Sequence, residues 1–475
     1  MISRERTTAS AGSTEFISLY SQGTTRSADP GGRRFLLPVA GYVSYIGDLM
    51  ITSSLPGFRD FYPADLALRS HIFRTWREVA SRYGFVEYDG PPLESLELYT
   101  RKSGEEIVGQ LYGFTDQGGR EVALRPEMTP TFARMVAARA GGLPKPIKWF
   151  SLPQLFRYER PQKGRLREHF QLNLDIVGET SVASDVEVVA AAIDMLRGFG
   201  LGASDFVARY SDRALISAVL QELGIPTGTL PATFAVLDKA ERESDEWVSD
   251  RLVEAGVDPD SARRVRELTG MDLDELSNEF GAVPAVEQSV SRLKRFRGQI
   301  ESAGLEAFVE LDLGLVRGLA YYTGLVFELW DRRGKFRAIC GGGRYDDLLE
   351  AVGGPALPAL GFGMGDVVLG ELLRDRGLVP EEGRALDDFV IHVSEEQLPA
   401  ALHIVHSLRA RGRRVGFDYR GRGVGRQFKV ANQAGAARVI VVGPEEVERG
   451  ECVVRSMDTG EEVKMGVAEL LAGSS

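Results

Sequence analysis

An arginine-rich run between residues 156 and 168 is the segment whose side chains are best suited to chemistry. The run falls at the end of a predicted strand and in the turn that follows it. Planar guanidinium groups match the geometry of phosphate oxygens, so such a turn could clamp a polyphosphate. A solvated, charged hairpin would have the same composition, and the run alone leaves both interpretations open.

Four further segments give this run a context. They are Leu-Arg-Pro-Glu-Met-Thr at 124–129, Leu-Val-Arg-Gly-Leu-Ala-Tyr-Tyr-Thr-Gly at 315–324, Gly-Gly-Gly-Arg-Tyr-Asp at 341–346, and residues 84–94 around Pro91. Together with the arginine-rich run, they resemble the motifs of class II aminoacyl-tRNA synthetases in their histidyl form, in the expected order. The run is similar to motif 2, and residues 84–94 are similar to motif 1, which in the family forms part of a dimer interface. The resemblance covers roughly residues 55–470 and implies a homodimer.

The resemblance implies a pocket for L-histidine. Glu127 would bind the α-amino group, and Asp175 and Tyr322 would hold the imidazole. A site that hydrogen-bonds both ring nitrogens rejects analogues strongly, because its own polar groups would otherwise stay unpaired. Tyr321 is predicted to line the same pocket, and the less favoured alternative is that Tyr321 and Tyr322 are an aromatic pair in a core strand. The full set of predicted histidine-binding residues is Glu127, Thr129, Gln171, Asp175, Tyr321 and Tyr322.

The resemblance also implies ATP as a substrate, with Mg²⁺ bound mainly through the phosphates. Arg157 would hold the α-phosphate, and Glu159 would lie near the adenine. Arg317 would stabilise charge on the α-phosphate as the histidine carboxylate attacks, so Arg317 and Arg157 are the predicted catalytic residues. Arg165 is predicted to contact the triphosphate.

Two positions depart from the family pattern. The family usually has aspartate where this chain has Ala320, and motif 3 usually ends with an arginine that contacts the γ-phosphate where this chain has Val368. Another arginine would then have to supply the charge, and Arg344 is the candidate that the sequence offers. The glycines around residue 363 are not a phosphate-binding P-loop, because the Gly-Lys-Ser/Thr ending is absent.

The elements that must position these residues predict an α+β protein. Strand-like runs alternate with turns more than with helices between residues 85 and 340, which favours a mainly antiparallel sheet, here flanked by helices as in class II synthetases. Residues 212–300 are strand-poor and helical in pattern, like an insertion. A linker near residues 377–383 separates a catalytic domain, residues 50–379, from an α/β domain, residues 387–475. Residues 1–49 show no periodicity and predict a disordered extension or a start assigned too far upstream.

A second basic run lies in the C-terminal domain, which resembles the anticodon-binding module of class II synthetases. Eight arginines or lysines stand against one acid between Arg409 and Lys429. In a chain with a net charge of −11, this local reversal predicts contacts with RNA phosphates, although a solvated helix end would look similar. The residues predicted to bind histidine tRNA are Gln162, Arg167, Arg422, Arg426 and Lys429, and Gln427, Phe428 and Asn432 are candidates for base contacts.

The bulk composition excludes several classes of protein. The net charge argues against a protein that coats nucleic acid non-specifically. The two cysteines, Cys340 and Cys452, have no metal-site or redox-pair spacing, so no protein-bound metal is predicted and a reducing cytoplasm is expected. No apolar run is long enough to span a membrane. The alternative function is a synthetase paralogue without catalysis that senses histidine, like the regulatory subunit of ATP phosphoribosyltransferase. Ala320 and Val368 favour this alternative slightly.

Overall fold

The structure is a computed structural model that describes residues 53–100, 108–160, 164–240, 243–317, 321–380 and 385–473. The predictions for residues 1–49, Gln162 and Ala320 lie outside these described residues. Contacts group residues 54–475 into one unit. Across the described ranges, no helix combines the length and the apolar character needed to cross a bilayer.

Strands up to residue 365 build two sheets. Their bounds are β1 (Val86–Glu87), β2 (Leu93–Ser95), β3 (Tyr112–Thr115), β4 (Glu121–Leu124), β5 (Ile147–Ser151), β6 (Gln154–Phe156), β7 (Glu168–Val177), β8 (Phe206–Asp212), β9 (Val309–Leu311), β10 (Leu325–Asp331), β11 (Cys340–Arg344) and β12 (Ala359–Gly365). The larger sheet has the order β1-β5-β7-β12-β11-β10-β8-β9, with β6 paired to β7. Only its β1–β5 and β8–β9 pairs are parallel among the described strands, so the predicted mainly antiparallel sheet is confirmed. Strands β2, β4 and β3 form the small sheet.

Helices cover the larger sheet and bury its apolar residues. Helix α1 (Pro63–Arg82) starts at Pro63, where the fixed φ of proline suits a first turn, and it buries Ile72, Trp76 and Val79 at helical spacing. The others in this part of the chain are α2 (Leu96–Thr100), α3 (Thr129–Arg139), α4 (Val182–Arg197), α11 (Leu348–Ala351) and α12 (Asp366–Asp375), with α5 to α10 described next. Helix α4 is apolar along most of its surface because it packs in the core.

The regular elements that the structure describes between residues 213 and 302 are all helices. The elements are α5 (Arg213–Glu222), α6 (Leu230–Ala240), α7 (Asp245–Glu254), α8 (Pro259–Leu268), α9 (Leu273–Phe280) and α10 (Pro284–Ser302), with one short 3₁₀ turn between the first two. Asp258 and Asp272 cap the helices that follow them, and Ser244 does the same for α7. This stretch coincides with the segment that the sequence indicates as an insertion, although the domain boundaries stay predictions.

The C-terminal segment forms its own mixed sheet. Its strands are β13 (Leu386–His392), β14 (Val415–Phe417), β15 (Ala436–Val442), β16 (Glu451–Ser456) and β17 (Glu462–Gly466), in the order β14-β13-β15-β16-β17. The first three are parallel and the last two pairings are antiparallel. The helices are α13 (Leu398–Arg409), α14 (Val424–Gln433), α15 (Pro444–Arg449) and α16 (Val467–Ala472). The predicted C-terminal α/β fold is therefore confirmed, with a mixed sheet.

One predicted strand is displaced. The sequence predicts a strand over residues 336–340, whereas β11 begins at Cys340 and runs through three glycines to Arg344. Glycine disfavours strands because it loses more backbone entropy and has no side chain to pack. Here the lack of a side chain is what the site requires.

Candidate active site

A cavity of about 960 Å³ lies over the middle strands of the larger sheet. Strands β7, β10, β11 and β12 contribute to its wall, together with the 164–166 turn and the loop before α3. The structure brings ten of the predicted histidine-binding, ATP-binding and catalytic residues to this one cavity. They are Glu127, Thr129, Arg157, Glu159, Arg165, Gln171, Asp175, Arg317, Tyr321 and Tyr322.

Three glycines on neighbouring strands leave space for three functional side chains. A β-carbon at Gly361 would collide with Asp175, one at Gly363 with Gln171, and one at Gly341 with Arg317. The register explains these contacts for the first and third pairs, because Gly361 lies opposite Asp175 and Gly341 lies opposite Glu328, the ionic partner of Arg317. The glycine-rich strands therefore form the floor of the cavity.

Asp175 is a buried carboxylate with half of its hydrogen-bonding capacity unused. Its Oδ1 accepts a hydrogen bond from the Tyr345 hydroxyl, whereas its Oδ2 has no partner among the described residues. Burial raises the pKa of Asp175 to about 7, and the Tyr345 hydrogen bond opposes that rise. A buried acceptor without a partner is costly, so this oxygen is suited to receive an N–H group from a ligand.

Two tyrosines and a glutamate form the adjacent wall. The rings of Tyr321 and Tyr322 lie 5.0 Å apart, and the Tyr321 hydroxyl is 3.4 Å from Glu127 Oε2. Glu127 is 4% exposed, and Thr129 is buried at the first residue of α3. Burial raises the pKa of Tyr321 well above its ordinary value, and the charge of Glu127 adds to this effect. Burial also raises the pKa of Tyr322, so both hydroxyls stay protonated and can donate hydrogen bonds at neutral pH.

Arg317 combines an unusual backbone conformation with a strong ion pair. Its φ of 58° is the only positive φ among the described non-glycine residues, and such a conformation is uncommon for a long side chain. Its guanidinium pairs with Glu328 and lies 5.7 Å from the Tyr322 ring centre. Burial is the largest single effect on the pKa of Arg317 and lowers it, but the charges of Glu328 and Tyr322 and the hydrogen bonds to both residues together outweigh burial and raise this pKa. Arg317 is thus a fixed, permanently positive group in the cavity wall.

The turn between β6 and β7 places the other predicted ATP ligands. Arg157 Nε donates a 2.9 Å hydrogen bond to the Pro126 carbonyl, which ties this turn to the loop carrying Glu127. Arg165 Nε lies 3.3 Å from Glu159 Oε2. These contacts hold the side chains at the edge of the cavity while leaving further guanidinium donors for a ligand.

Arg344 does not take the position predicted for it. It is 3% exposed, and its guanidinium is bonded to Asp185, the Ser184 hydroxyl and the carbonyls of Glu179 and Ser181. It is also absent from the cavity wall. The donors of this guanidinium are used in these bonds, which join β11 to the start of α4. Arg344 is therefore not placed to bind ATP as the sequence predicts.

Two residues near the cavity were missed by sequence reasoning. Arg125 is buried and donates to Asp89 and to the carbonyls of Gly90 and Gln154, which fixes the loop before Glu127. His169 lines the cavity, and burial, together with the charge of Arg157, lowers its pKa to about 3. His169 is therefore a neutral aromatic surface. Arg125 lies inside the 124–129 segment, but its role and that of His169 depend on burial and do not follow from the motifs.

The residues predicted to bind tRNA are dispersed. Arg167 lies outside the cavity wall, and its guanidinium stands 4.2 Å from the Tyr158 ring centre and donates to the Glu159 carbonyl. Arg422 is paired with Asp418, and Gln427 is fully buried with its amide bonded to His392 and Arg422. Gln427 is therefore not available for the base contact that the sequence predicts.

An exposed surface nevertheless remains on the C-terminal segment. Arg420, Arg426 and Lys429 are exposed and form no salt bridge with any residue in the described ranges. Beside them Tyr419, which sequence reasoning missed, is 80% exposed, and its ring packs edge-on against Phe417. We call Tyr419, Arg420, Arg426 and Lys429 the basic–aromatic surface.

Comparison with known proteins identifies the family. A model of the family described as histidyl-tRNA synthetase matches residues 57–365, and a model described as the anticodon binding domain matches residues 388–473. The chain belongs to the histidyl-tRNA synthetase family. A histidine–tRNA ligase of Opitutus terrae is 45% identical over 411 residues, which are 86% of this chain and 94% of that protein. A chloroplastic/mitochondrial histidine–tRNA ligase of Arabidopsis thaliana is 37% identical over 415 residues, 87% of this chain and 85% of that protein.

Solved structures show the same fold. A histidyl-tRNA synthetase from a Nostoc species superposes with a TM-score of 0.74 at 24% identity, over 89% of this chain and 98% of that one. A Bacillus halodurans protein, described as an ATP phosphoribosyltransferase regulatory subunit/histidyl-tRNA synthetase, gives a TM-score of 0.70 at 22% identity, over 83% of this chain and 99% of that one. The predicted class II synthetase fold is confirmed by this family of structures. Because both functions share the fold, the fold alone does not decide between them.

Proposed function

We infer that this chain is a histidine–tRNA ligase, which activates L-histidine with ATP and transfers it to the 3′ end of histidine tRNA. Two relatives with this name align with 86% and 87% of the chain. The anticodon binding domain model matches the C-terminal segment. The observation that carries the proposal is that Asp175, which has a buried carboxylate oxygen without a hydrogen-bond partner among the described residues, lines the same cavity as Arg157 and Arg317. An acceptor for an imidazole N–H thus shares one cavity with cations for a phosphate.

In the first step, a carboxylate oxygen of histidine attacks the α-phosphorus of ATP. The bond between the α-phosphorus and the bridging oxygen breaks, and pyrophosphate leaves with that electron pair. Negative charge builds on the α-phosphate oxygens in the transition state, and Arg317 and Arg157 would stabilise it from fixed positions. In the second step, a hydroxyl at the tRNA terminus attacks the carbonyl carbon, and AMP leaves.

The histidine end of the cavity would be read by hydrogen bonds to both ends of the amino acid. Glu127 would accept from the α-ammonium group and Asp175 from one imidazole N–H, with Tyr322, Tyr321, Thr129 and Gln171 completing the wall. Discrimination against other amino acids would follow because any ligand without the second ring nitrogen leaves Asp175 buried and unpaired.

ATP would enter with Mg²⁺, which neutralises phosphate charge when bound. In the described part of the chain, no group of three or more histidine, cysteine, aspartate or glutamate side chains is placed to hold a metal ion. The phosphate oxygens would therefore supply most of its ligands, as is usual for magnesium. Glu159 and the neutral ring of His169 would line the space for the base.

We also propose a homodimer in a reducing cytoplasm. Strand β1 is an edge strand paired only with β5 among the described strands, and Val86 on it is 62% exposed, as are Phe114 (49%) and Leu93 (38%) on the small sheet. Exposed apolar residues on sheet edges favour a covering partner. Both cysteines are buried and free, which suits a compartment without disulfide formation. Light scattering on the purified chain would measure the assembly.

The alternative, a paralogue that senses histidine without catalysis, is not favoured. The named relatives are ligases at up to 45% identity, and the anticodon binding domain is present. The two functions differ in one measurable property, since only the ligase exchanges pyrophosphate into ATP when histidine is added.

ATP–pyrophosphate exchange, measured with each of the twenty amino acids in turn, tests the proposed function. We expect exchange with histidine, and rates near background with the others. A matched sample with histidinol in place of histidine should give no exchange, because histidinol lacks the attacking carboxylate. Histidine binding without any exchange would transfer the assignment to the sensing paralogue.

The basic–aromatic surface gives a prediction for the tRNA step. Tyr419→Ala should raise KM for histidine tRNA about tenfold, because stacking of an unpaired base on an aromatic ring contributes roughly 1–3 kcal/mol. Arg426→Ala should reduce the magnitude of the slope of log affinity against log salt concentration by about one, because one phosphate contact is lost. Pyrophosphate exchange should be unchanged in both.

Aminoacylation and exchange assays on the same preparations would measure these effects. Val463→Ala is the control, since it trims an exposed side chain of the same C-terminal segment on β17. Unchanged tRNA affinity in both surface variants would contradict the assignment of this surface.

A further inference from the structure

Arg337 belongs to none of the motif segments, yet it lines the cavity. It lies in the loop between β10 and β11, four residues after the exposed Arg333. A β-carbon built on Gly164 would lie 3.6 Å from Val368 Cγ2 and 3.9 Å from Arg337 Cδ. The motif 2 turn, the first turn of α12 and the β10–β11 loop therefore meet at one point of the wall.

This meeting point is separated from Asp175 along strand β12. Asp175 is opposite Gly361 in the sheet, and β12 continues from there to Gly365 before α12 begins. Four residues of strand span about 13 Å, so a ligand group near Val368 is well separated from the imidazole site. The end near Val368 is thus available to the terminal phosphates of a nucleotide whose α-phosphate lies between the two ends.

The charges along the wall make a cation at this end important. Arg317 is paired with Glu328, Arg165 lies against Glu159, and Arg157 donates to the Pro126 carbonyl. Val368 itself contributes no charge. A polyphosphate that brings several negative charges into a partly enclosed cavity needs positive side chains near each phosphate.

We propose that Arg337 binds the terminal phosphates of ATP and then the pyrophosphate leaving group, in the place where Val368 supplies no cation. This inference rests on the proposed function and deepens it. The Arg337 side chain lines the cavity and already reaches Gly164 with Cδ. Its planar guanidinium can bridge oxygens of two phosphates, which a valine cannot do. The loop between β10 and β11 thus supplies the positive charge that the first turn of α12 lacks.

Binding measurements with three ligands test this role. They are ATP with Mg²⁺, pyrophosphate with Mg²⁺, and a non-hydrolysable histidyl-adenylate analogue that has no terminal phosphates. In Arg337→Ala we expect ATP and pyrophosphate to bind about tenfold to a hundredfold more weakly, as for loss of a hydrogen bond to a charged group. The adenylate analogue and histidine should bind as before, and KM for ATP should rise while KM for histidine stays constant.

Two further variants separate this role from simpler ones. Arg333→Ala removes a positive charge from the same loop without touching the cavity wall, so it should bind all three ligands normally. Arg337→Lys keeps a charge and should recover part of the pyrophosphate affinity while preserving the fold. Thermal melting curves should confirm that all three variants are folded.

Unchanged binding of ATP and pyrophosphate in Arg337→Ala would overturn the inference. So would an equal loss for the adenylate analogue, since that loss would indicate a general structural role. These titrations do not depend on turnover. Absence of histidine-dependent exchange in the unmodified protein would instead reject the proposed function, and the two failures are therefore distinguishable.

Discussion

Replacing Arg317 with alanine is expected to reduce histidine-dependent pyrophosphate exchange by about a hundredfold or more, with little change in histidine affinity. Removing one fixed donor aimed at developing charge typically costs on the order of 3 kcal/mol in transition-state stabilisation. The loss should be large here because Val368 carries no charge and Arg337 is proposed to act on the terminal phosphates, not on the α-phosphate. Histidine should still bind through Glu127, Asp175 and Tyr322.

Arg317→Lys should recover little of the activity. An ammonium group is a point charge with a strong hydration shell, and it cannot reproduce a planar fork that contacts Glu328 and a phosphate at once. Single-turnover measurement of adenylate formation, with calorimetric titration of histidine alongside, would separate the chemical step from binding.

The control for this prediction is Glu328→Gln. Both variants lose the ion pair between the two residues, but only Glu328→Gln retains the guanidinium. If Arg317 acts on the phosphate, Glu328→Gln should keep most of the exchange activity. Equal losses in the two variants would show that the ion pair matters for structure alone, and the catalytic role of Arg317 would then be rejected.

Sequence patterns were sufficient for the regular elements of this fold. Helix α1 follows from Pro63 and from the spacing of Ile72, Trp76 and Val79, all of which are buried. Apolar residues make up most of strands β5, β10 and β15. These elements are predictable because a local periodicity coincides with one buried face.

Glycine-rich strands were harder to predict. Strand β11 is Cys-Gly-Gly-Gly-Arg and β12 contains three glycines, a composition that local propensity reads as loop. These strands exist because their neighbours Asp175, Gln171 and Arg317 occupy the space above them, and those neighbours come from distant parts of the chain. Tertiary contacts therefore override propensity at the positions that matter most for the site.

The roles of individual residues also divide into those that motifs predict and those that tertiary contacts decide. Eight of the ten predicted side chains of the cavity lie inside the motif segments, and Gln171 and Asp175 follow the arginine-rich run on β7. Sequence position was not enough for Arg344, which has the right type but pairs with Asp185, nor for Gln427, which is buried. Arg337 and Tyr419 carried no motif, and their positions depend on how a loop folds back. Burial and pairing decide which charged residues can meet a ligand.

Asp175→Asn is expected to abolish histidine activation while making the ligand-free protein more stable. The asparagine is isosteric, and its oxygen can still accept the Tyr345 hydrogen bond. Its amide group presents a donor where the carboxylate presents an acceptor, so the imidazole N–H loses its partner. KM for histidine should rise roughly a hundredfold or more, with ATP affinity unchanged.

The stability change follows from the pKa of Asp175. Burial raises this pKa from 3.8 to about 7, so between these two pH values the folded protein retains a proton that the unfolded chain has released. Stability of the ligand-free protein therefore falls as pH rises through this window and stays low above it. At 1.36 kcal/mol per pKa unit, the effect is at most roughly 4 kcal/mol. The asparagine side chain does not titrate, so the stability of the variant does not fall in this way as pH rises.

Thermal melting at pH 8 and at pH 4.5, with and without histidine, measures both effects. The Asp175→Asn variant should melt above the unmodified protein at pH 8, and the difference should shrink at pH 4.5. Histidine should stabilise only the unmodified protein. Asp418→Asn is the contrasting control, because Asp418 is also buried and burial would raise its pKa, but hydrogen bonds from Arg422 and Arg420 hold that pKa below its ordinary value, so its neutralisation should lower stability. A variant at position 175 that melts lower at pH 8 and keeps its histidine affinity would refute the assignment. The unpartnered oxygen would then be a structural feature, and imidazole recognition would have to lie elsewhere in the cavity.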